Sequence, residues 1–163
     1  MAGSGLVSPY RFEGGVYPGT SGTCAATLAT ALTCTIVVEY APVAVSAVDN
    51  DTIDINYNDG AGTQTSSRDV TGIAVSPANL TLSETDPYSY GTLATGSAVV
   101  HTFVVTNGGG FQASALSEVG LAVPYSFTGG AYPGTGGDCT TTLAAGATCN
   151  LEIQYSPSVV SVG

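Results

Sequence analysis

The feature that most constrains this chain is that it repeats itself. Leu6 to Val45 aligns without a gap on Leu121 to Val160 at a constant offset of 115, and 20 of the 40 positions are identical. GGVYPGT at Gly14 to Thr20 matches GGAYPGT at Gly129 to Thr135, and Cys24 and Cys34 match Cys139 and Cys149. A duplication that keeps cysteines, paired glycines and Tyr-Pro pairs in one register must build the same supersecondary unit twice. The phase is unusual. The first copy lacks what Ile73 to Ala115 supply to the second, and the second lacks what Asp49 to Gly72 supply to the first. The expected units are 1–72, without its opening strands, and 73–163, without its closing hairpin.

The four cysteines fall as two C-x9-C pairs, one per repeat. Three pairings are open to four cysteines. Repeat symmetry selects Cys24 with Cys34 and Cys139 with Cys149, each closing a short loop at the entry to an apolar run. Zinc and free buried thiols are the rival readings, although no His accompanies either pair and the spacing is not usual for zinc ligands. Disulfides would place the protein in an oxidising compartment.

Strand signals are dense and helical periodicity over ten or more residues is absent. Short β-branched or aromatic runs bounded by Gly, Pro, Asn and Asp predict strands at Ile73 to Leu82, Ser97 to Asn107, Phe111 to Val119, Cys149 to Tyr155, Cys34 to Tyr40, Thr52 to Tyr57 and Thr63 to Thr71. In Thr52 to Tyr57, Ile53, Ile55 and Tyr57 share one face and Asp54 and Asn56 the other. Asn58-Asp59-Gly60-Ala61-Gly62 closes a hairpin into the next run. Short strands with glycine-rich turns describe an all-β chain of antiparallel sandwiches.

Composition narrows the partners. Twelve carboxylates stand against Arg11 and Arg68, giving a net charge of −10, so nucleic acid and anionic membranes are repelled. No run approaches the roughly 20 apolar residues of a membrane-spanning helix, and no membrane insertion is expected. The N-terminus lacks the charged-then-apolar pattern of a signal peptide, so an export signal would have been removed or would lie outside this sequence. The absence of Lys excludes Lys-Asn isopeptide cross-links.

Catalytic candidates are few. His101 is the only histidine and sits in the alternating run Val99 to Phe103, which reads as a strand position. No G-x-S-x-G, H-E-x-x-H or phosphate-cradling glycine loop is present, and Gly108 to Gly110 reads as a turn. No enzyme, cofactor or catalytic residue is expected. Asp49, Asp51, Asp54 and Asp59 concentrate oxygen ligands, open to calcium or to an ordinary solvated turn. Asn50 and Asn79 head glycosylation sequons.

Asn107-Gly-Gly-Gly, Pro124-Tyr-Ser-Phe, the segment Cys139 to Cys149, Ile153-Gln-Tyr-Ser-Pro157 and Tyr57-Asn-Asp-Gly-Ala61 together resemble the Hydin-type immunoglobulin-like modules of bacterial choice-of-anchor surface proteins. The resemblance covers nearly the whole chain. It implies tandem immunoglobulin-like β-sandwich modules, each copy incomplete here, used as spacer, scaffold or adhesive element and carrying no enzymatic activity.

The expected function is therefore structural, a subunit or repeat segment of an extracellular or cell-surface fibre. Its partners would be other copies of itself, and the missing strands leave two explanations open: a tandem array cut at arbitrary boundaries, or subunits joined head-to-tail by strand exchange around Asp51 to Thr71 or Ile73 to Leu82. The second reading is an adhesin-type module that binds a surface glycan or protein through loops at one end of the sandwich. Tyr10, Tyr17 and Tyr40 recur as Tyr125, Tyr132 and Tyr155, which suits shared packing better than a unique site.

Overall fold

The computed structural model describes residues 1–118 and 120–159, and these residues are all-β. The chain divides into two compact units, Met1–Val75 and Ser76–Gly163. The division falls at 75/76, not at the expected 72/73, because the last strand of the first unit keeps its ladder as far as Ala74.

Unit 1 holds β1 (Ala2–Ser4), β2 (Tyr10–Phe12), a 3₁₀ turn at Glu13–Gly15, β3 (Val38–Tyr40), β4 (Ser46–Asn58) and β5 (Thr63–Ala74). One sheet has the order β1-β4-β5 and a second pairs β2 with β3, all antiparallel. The β4–β5 hairpin closes as its sequence predicts: the Asp59 N–H donates to the Gly62 carbonyl at 3.1 Å, and the Asp59 carboxylate accepts from the N–H groups of Ala61 and Gly62. Gly60 has φ 99°, a conformation that favours glycine.

Alternation sorts the hairpin into two faces. Thr52 bonds Asp69, Asp54 accepts from Ser67, and Asn56 accepts from Thr65, so one face is a ladder of cross-strand polar pairs. Ile53, Ile55 and Tyr57 occupy the other face, with Ile53 buried.

Unit 2 holds β6 (Leu80–Leu82), β7 (Val99–Asn107), β8 (Ala113–Ser114), β9 (Tyr125–Phe127), a 3₁₀ turn at Thr128–Gly130, β10 (Thr142–Leu143) and β11 (Thr148–Tyr155). Its sheets have the orders β6-β7-β11-β9 and β10-β8. The core lies between them: Val105 of β7 and Cys149 of β11 meet Ala113 of β8, Leu143 of β10 and Cys139, with Leu116, Tyr132, Ala147 and Leu151 around them.

Three expected strands are shorter in the structure. Ile73 to Leu82 is not one strand: β5 ends at Ala74, residues 75–79 form no strand, and β6 begins at Leu80. Pro77 stands in the break and has no N–H to give a ladder. In Phe111 to Val119 only Ala113–Ser114 pairs, and Val119 itself lies outside the described residues. Cys34 to Tyr40 is a strand only at Val38–Tyr40, although its counterpart Cys149 to Tyr155 is wholly β11.

Candidate functional site

The repeated motif builds the same local frame twice. Gly14 and Gly129 have φ 73° and 78°, and Gly19 and Gly134 have φ 97° and 96°. A Cβ on Gly19 would lie 2.6 Å from the Val37 carbonyl oxygen, so only glycine lets the turn sit this close to the following chain. Val37 N–H donates to Pro18 O, as Glu152 N–H donates to Pro133 O. The rings repeat as well: Phe12 meets Tyr17 edge-on at 5.4 Å and Phe127 meets Tyr132 edge-on at 5.6 Å.

Both expected disulfides are present. Cys24–Cys34 and Cys139–Cys149 have Cα separations of 4.8 and 4.9 Å, and no cysteine among the described residues is free. Their surroundings differ. Cys139 and Cys149 are buried in the core of unit 2, whereas Cys24 and Cys34 are half-buried. Leu143 is 6% exposed, and Leu28, its counterpart, is 43% exposed.

The reason is a groove. In unit 1, Tyr17, Cys24, Leu28, Cys34 and Ile36 face Ile55 and Tyr57 of the hairpin across an open space of about 730 Å³. In unit 2 the corresponding residues Tyr132, Cys139, Leu143, Cys149 and Leu151 gather around Val105 and Ala113. Unit 2 is open as well. A groove of about 710 Å³ there is lined by Leu80, Leu82, Val105, Ala113, Tyr132 and Leu151, and Tyr132 and Leu151 are the counterparts of Tyr17 and Ile36 in the unit 1 groove. Among the described residues the unit 1 groove has the β4–β5 hairpin on one flank and no counterpart of β7 and β8, and the unit 2 groove has β6, β7 and β8 and no counterpart of the hairpin.

The backbone repeats this asymmetry. In unit 2, Thr148 to Glu152 pair with β7, in the register Thr148↔Thr106, Cys149↔Val105, Asn150↔Val104, Leu151↔Phe103 and Glu152↔Thr102. In unit 1, Thr35 and Val37 make the motif-side bonds that Asn150 and Glu152 make, but among the described residues the backbone groups of Cys34 and Ile36 have no hydrogen-bond partner. This is an unpaired stretch of extended main chain beside an apolar groove.

Asn107, at the end of β7, holds the closed part of unit 2 together. Its side chain is fully buried. The two hydrogens of the amide nitrogen are shared among the carbonyls of Phe111, Leu143 and Ala144 at 2.9, 3.1 and 3.2 Å, and the amide oxygen accepts from the N–H groups of Asn79 and Gly109 at 3.1 Å each. The sequence places Asn107 at the end of a strand, with a turn at Gly108 to Gly110, and does not mark its side chain. The available signal was an Asn ending a long apolar strand ahead of three glycines, where a polar side chain can satisfy backbone groups that leave the ladder.

His101 lies within β7, half-buried, stacked on Tyr88 at 4.0 Å with its Nδ1 2.9 Å from the Tyr88 hydroxyl. Glu84 stands 3.5 Å from Nε2. Around it Tyr90, Tyr125 and Tyr155 form a second cluster with centroids 5.1 to 5.8 Å apart. Burial, then the neighbouring Tyr88 and Tyr125, pushes the Tyr90 phenol up to about 12.

The four aspartates are not drawn together. Asp49 accepts from Ser46 and Tyr40 hydroxyls at 2.5 Å each, bonds that hold its carboxyl below the usual range. Asp51 accepts from the Val7 N–H, Asp54 from Ser67, and Asp59 closes the hairpin turn, its pKa lowered by the N–H groups of Ala61 and Gly62. Asp59 is the turn residue of the alternatives posed by the sequence, and the others are spaced along an extended strand. Among the described residues no group of three or more His, Cys, Asp or Glu is gathered.

Family models, curated proteins and solved structures offer no match to the chain. The site must be read from its own geometry. Unit 1 offers free main-chain donors and acceptors at Cys34 and Ile36, an apolar trough beside them, and the Cys24–Cys34 disulfide in the trough's lining.

Proposed function

We propose that the chain is a structural subunit or repeat segment of an extracellular or cell-surface fibre, built from tandem immunoglobulin-like modules of the Hydin type. The observation that carries this reading is the complementarity of the two open faces. Unit 1 presents an unpaired edge and a groove where unit 2 has β7 and β8, and unit 2 presents a bare apolar face where unit 1 has its hairpin. Protein surfaces rarely leave such edges and troughs uncovered. Head-to-tail contact between different faces need not close on itself and gives filaments instead of dimers. The two disulfides suit an oxidising, extracellular setting.

Electron microscopy and light scattering of the oxidised protein test the reading. Filaments, or a mass that grows with concentration, are expected. A monodisperse monomer at all concentrations would overturn it.

One observation favours the adhesin reading. Tyr125, 40% exposed, lies with Tyr90 and Tyr155 in an aromatic cluster of the kind that sugar rings stack on. A glycan array probed with wild-type protein and Tyr125→Ala separates the two readings.

A further inference from the structure

We propose that the groove of unit 1 is an acceptor site for an extended segment and that its occupant is the β6–β8 segment, Leu80–Ser114, of a second copy of the chain. The inference rests on the fibre reading and says which surfaces would make the joint.

The internal repeat supplies the template. Tyr17, Cys24, Leu28, Cys34 and Ile36 line the groove, and their counterparts in unit 2 are packed against Val105 and Ala113, which point inward from β7 and β8. Thr33, Cys34, Thr35, Ile36 and Val37 present the edge that Thr148 to Glu152 present to β7. Even the rim is retained: the Met1 amino group bonds the Ala26 carbonyl just as Leu116 N–H bonds that of Thr141. An antiparallel strand carrying Phe103 and Val105 would therefore meet in unit 1 the ladder and the trough that it meets in unit 2.

Exchange also covers surface that stays bare in the single chain. In unit 2 the inward face of β6 and β7, with Leu80, Leu82 and Val105, borders an open groove. Seated on unit 1, that face lies opposite Ile55 and Tyr57, so the segment is flanked by the disulfide motif and the hairpin together. The segment leaves Cys139, Leu143 and Cys149 of its own unit for a half-identical motif, so the vacancy passes to the donor's unit 2 and the net gain is the hairpin. Domain swapping of this kind needs no new type of contact, and strand addition to an exposed edge supplies main-chain bonds while the trough selects the side chains.

The test uses the full oxidised chain with p-benzoylphenylalanine at Leu28, mixed as nitrogen-15-labelled and unlabelled copies, irradiated and mapped by mass spectrometry. Cross-links from position 28 to Val99–Ser114 in peptide pairs of mixed isotope are expected. Leu28→Asp, at a position exposed in the single chain, should fold normally and weaken assembly about tenfold or more. Filaments whose cross-links map elsewhere, or only within one copy, would overturn this inference and leave the fibre reading standing. A monomer at every concentration would overturn both. Unchanged assembly of Leu28→Asp would overturn the inference alone.

Discussion

Thr33 to Tyr40 and Thr148 to Tyr155 occupy the same place in the repeat, yet one is a strand over three residues and the other over all eight. Local propensity does not account for this. Thr33-Cys-Thr-Ile-Val-Val is, if anything, richer in β-branched residues than Thr148-Cys-Asn-Leu-Glu-Ile. What differs is the partner. β11 lies between β7 and β9, while β3 has β2 on one side and, among the described residues, no strand on the other. A strand is a pairing, and the side chains and disulfide beneath it follow suit: Cys149 and Leu143 are buried where Cys34 and Leu28 are not.

The strongest way to break the comparison is to remove what locks unit 2 shut. Asn107→Ala removes, at a fully buried site, the amide whose two N–H groups serve three carbonyls and whose oxygen serves two N–H groups. Each stranded buried group costs about 1–3 kcal/mol, so the loss should exceed about 4 kcal/mol. Unit 1 holds no counterpart of Asn107 among the described residues. Hydrogen exchange should therefore show β7, β10 and β11 losing protection while β4 and β5 keep theirs, and equal loss in both units would contradict the assignment.

How much of this was legible in the letters follows from how local each feature is. The hairpin at Asn58 to Gly62, the alternation of Ile53, Ile55 and Tyr57, and the C-x9-C pairs carry their geometry in adjacent residues, and all three stand in the structure. The strand expected from Cys34 to Tyr40 failed because its ladder partner is specified elsewhere, and the one expected from Ile73 to Leu82 failed because Pro77 breaks the ladder. Asn107 was missed because three of its five partners lie four to 37 residues further along the chain. The gap in unit 1 was legible, because the repeat shows that the first copy lacks what Ile73 to Ala115 supply to the second, but the residues that line it come together only in the fold.

Replacing each cysteine pair by alanine sharpens the comparison. Both bridges close a sequence separation of 10, so loop-closure entropy assigns each about 3 kcal/mol. Cys139→Ala with Cys149→Ala removes buried atoms as well, and a cavity term adds to the loss. Denaturant unfolding should thus show the larger drop for the second pair. Equal drops would mean that burial at the core bridge contributes nothing.

Leu143→Ala against Leu28→Ala tests the difference one side chain at a time. A buried leucine costs about 2–5 kcal/mol when truncated, and one already 43% exposed costs much less. A gap of about 2 kcal/mol is expected in the dispersed monomer. If a strand from another copy fills the groove, the gap should narrow on assembly, because Leu28 then acquires the surroundings of Leu143.

The smallest effect concerns acid. In unit 1 the Asp49 carboxyl is held below its ordinary value first by the Ser46 hydroxyl and then by that of Tyr40, with burial opposing them, and Glu39 is held down by its bond to Arg11. A carboxyl whose folded pKa is depressed stabilises the fold above its unfolded value, about 4, and that contribution is lost as pH falls through the lower, folded value. Both groups lie near the protein surface, so the loss is modest and shrinks with salt for the Arg11–Glu39 pair. Asp49 joins β4 to Tyr40 of β3, and the Tyr10 hydroxyl donates to its backbone carbonyl. Acid should therefore loosen the two sheets of unit 1 from each other before it unravels the hairpin. Asp49→Asn keeps an acceptor but removes the titration, so it should flatten the stability profile of unit 1 below about pH 4. An acid limb equally steep in wild type and Asp49→Asn would show that this carboxylate does not fasten β4 to β3.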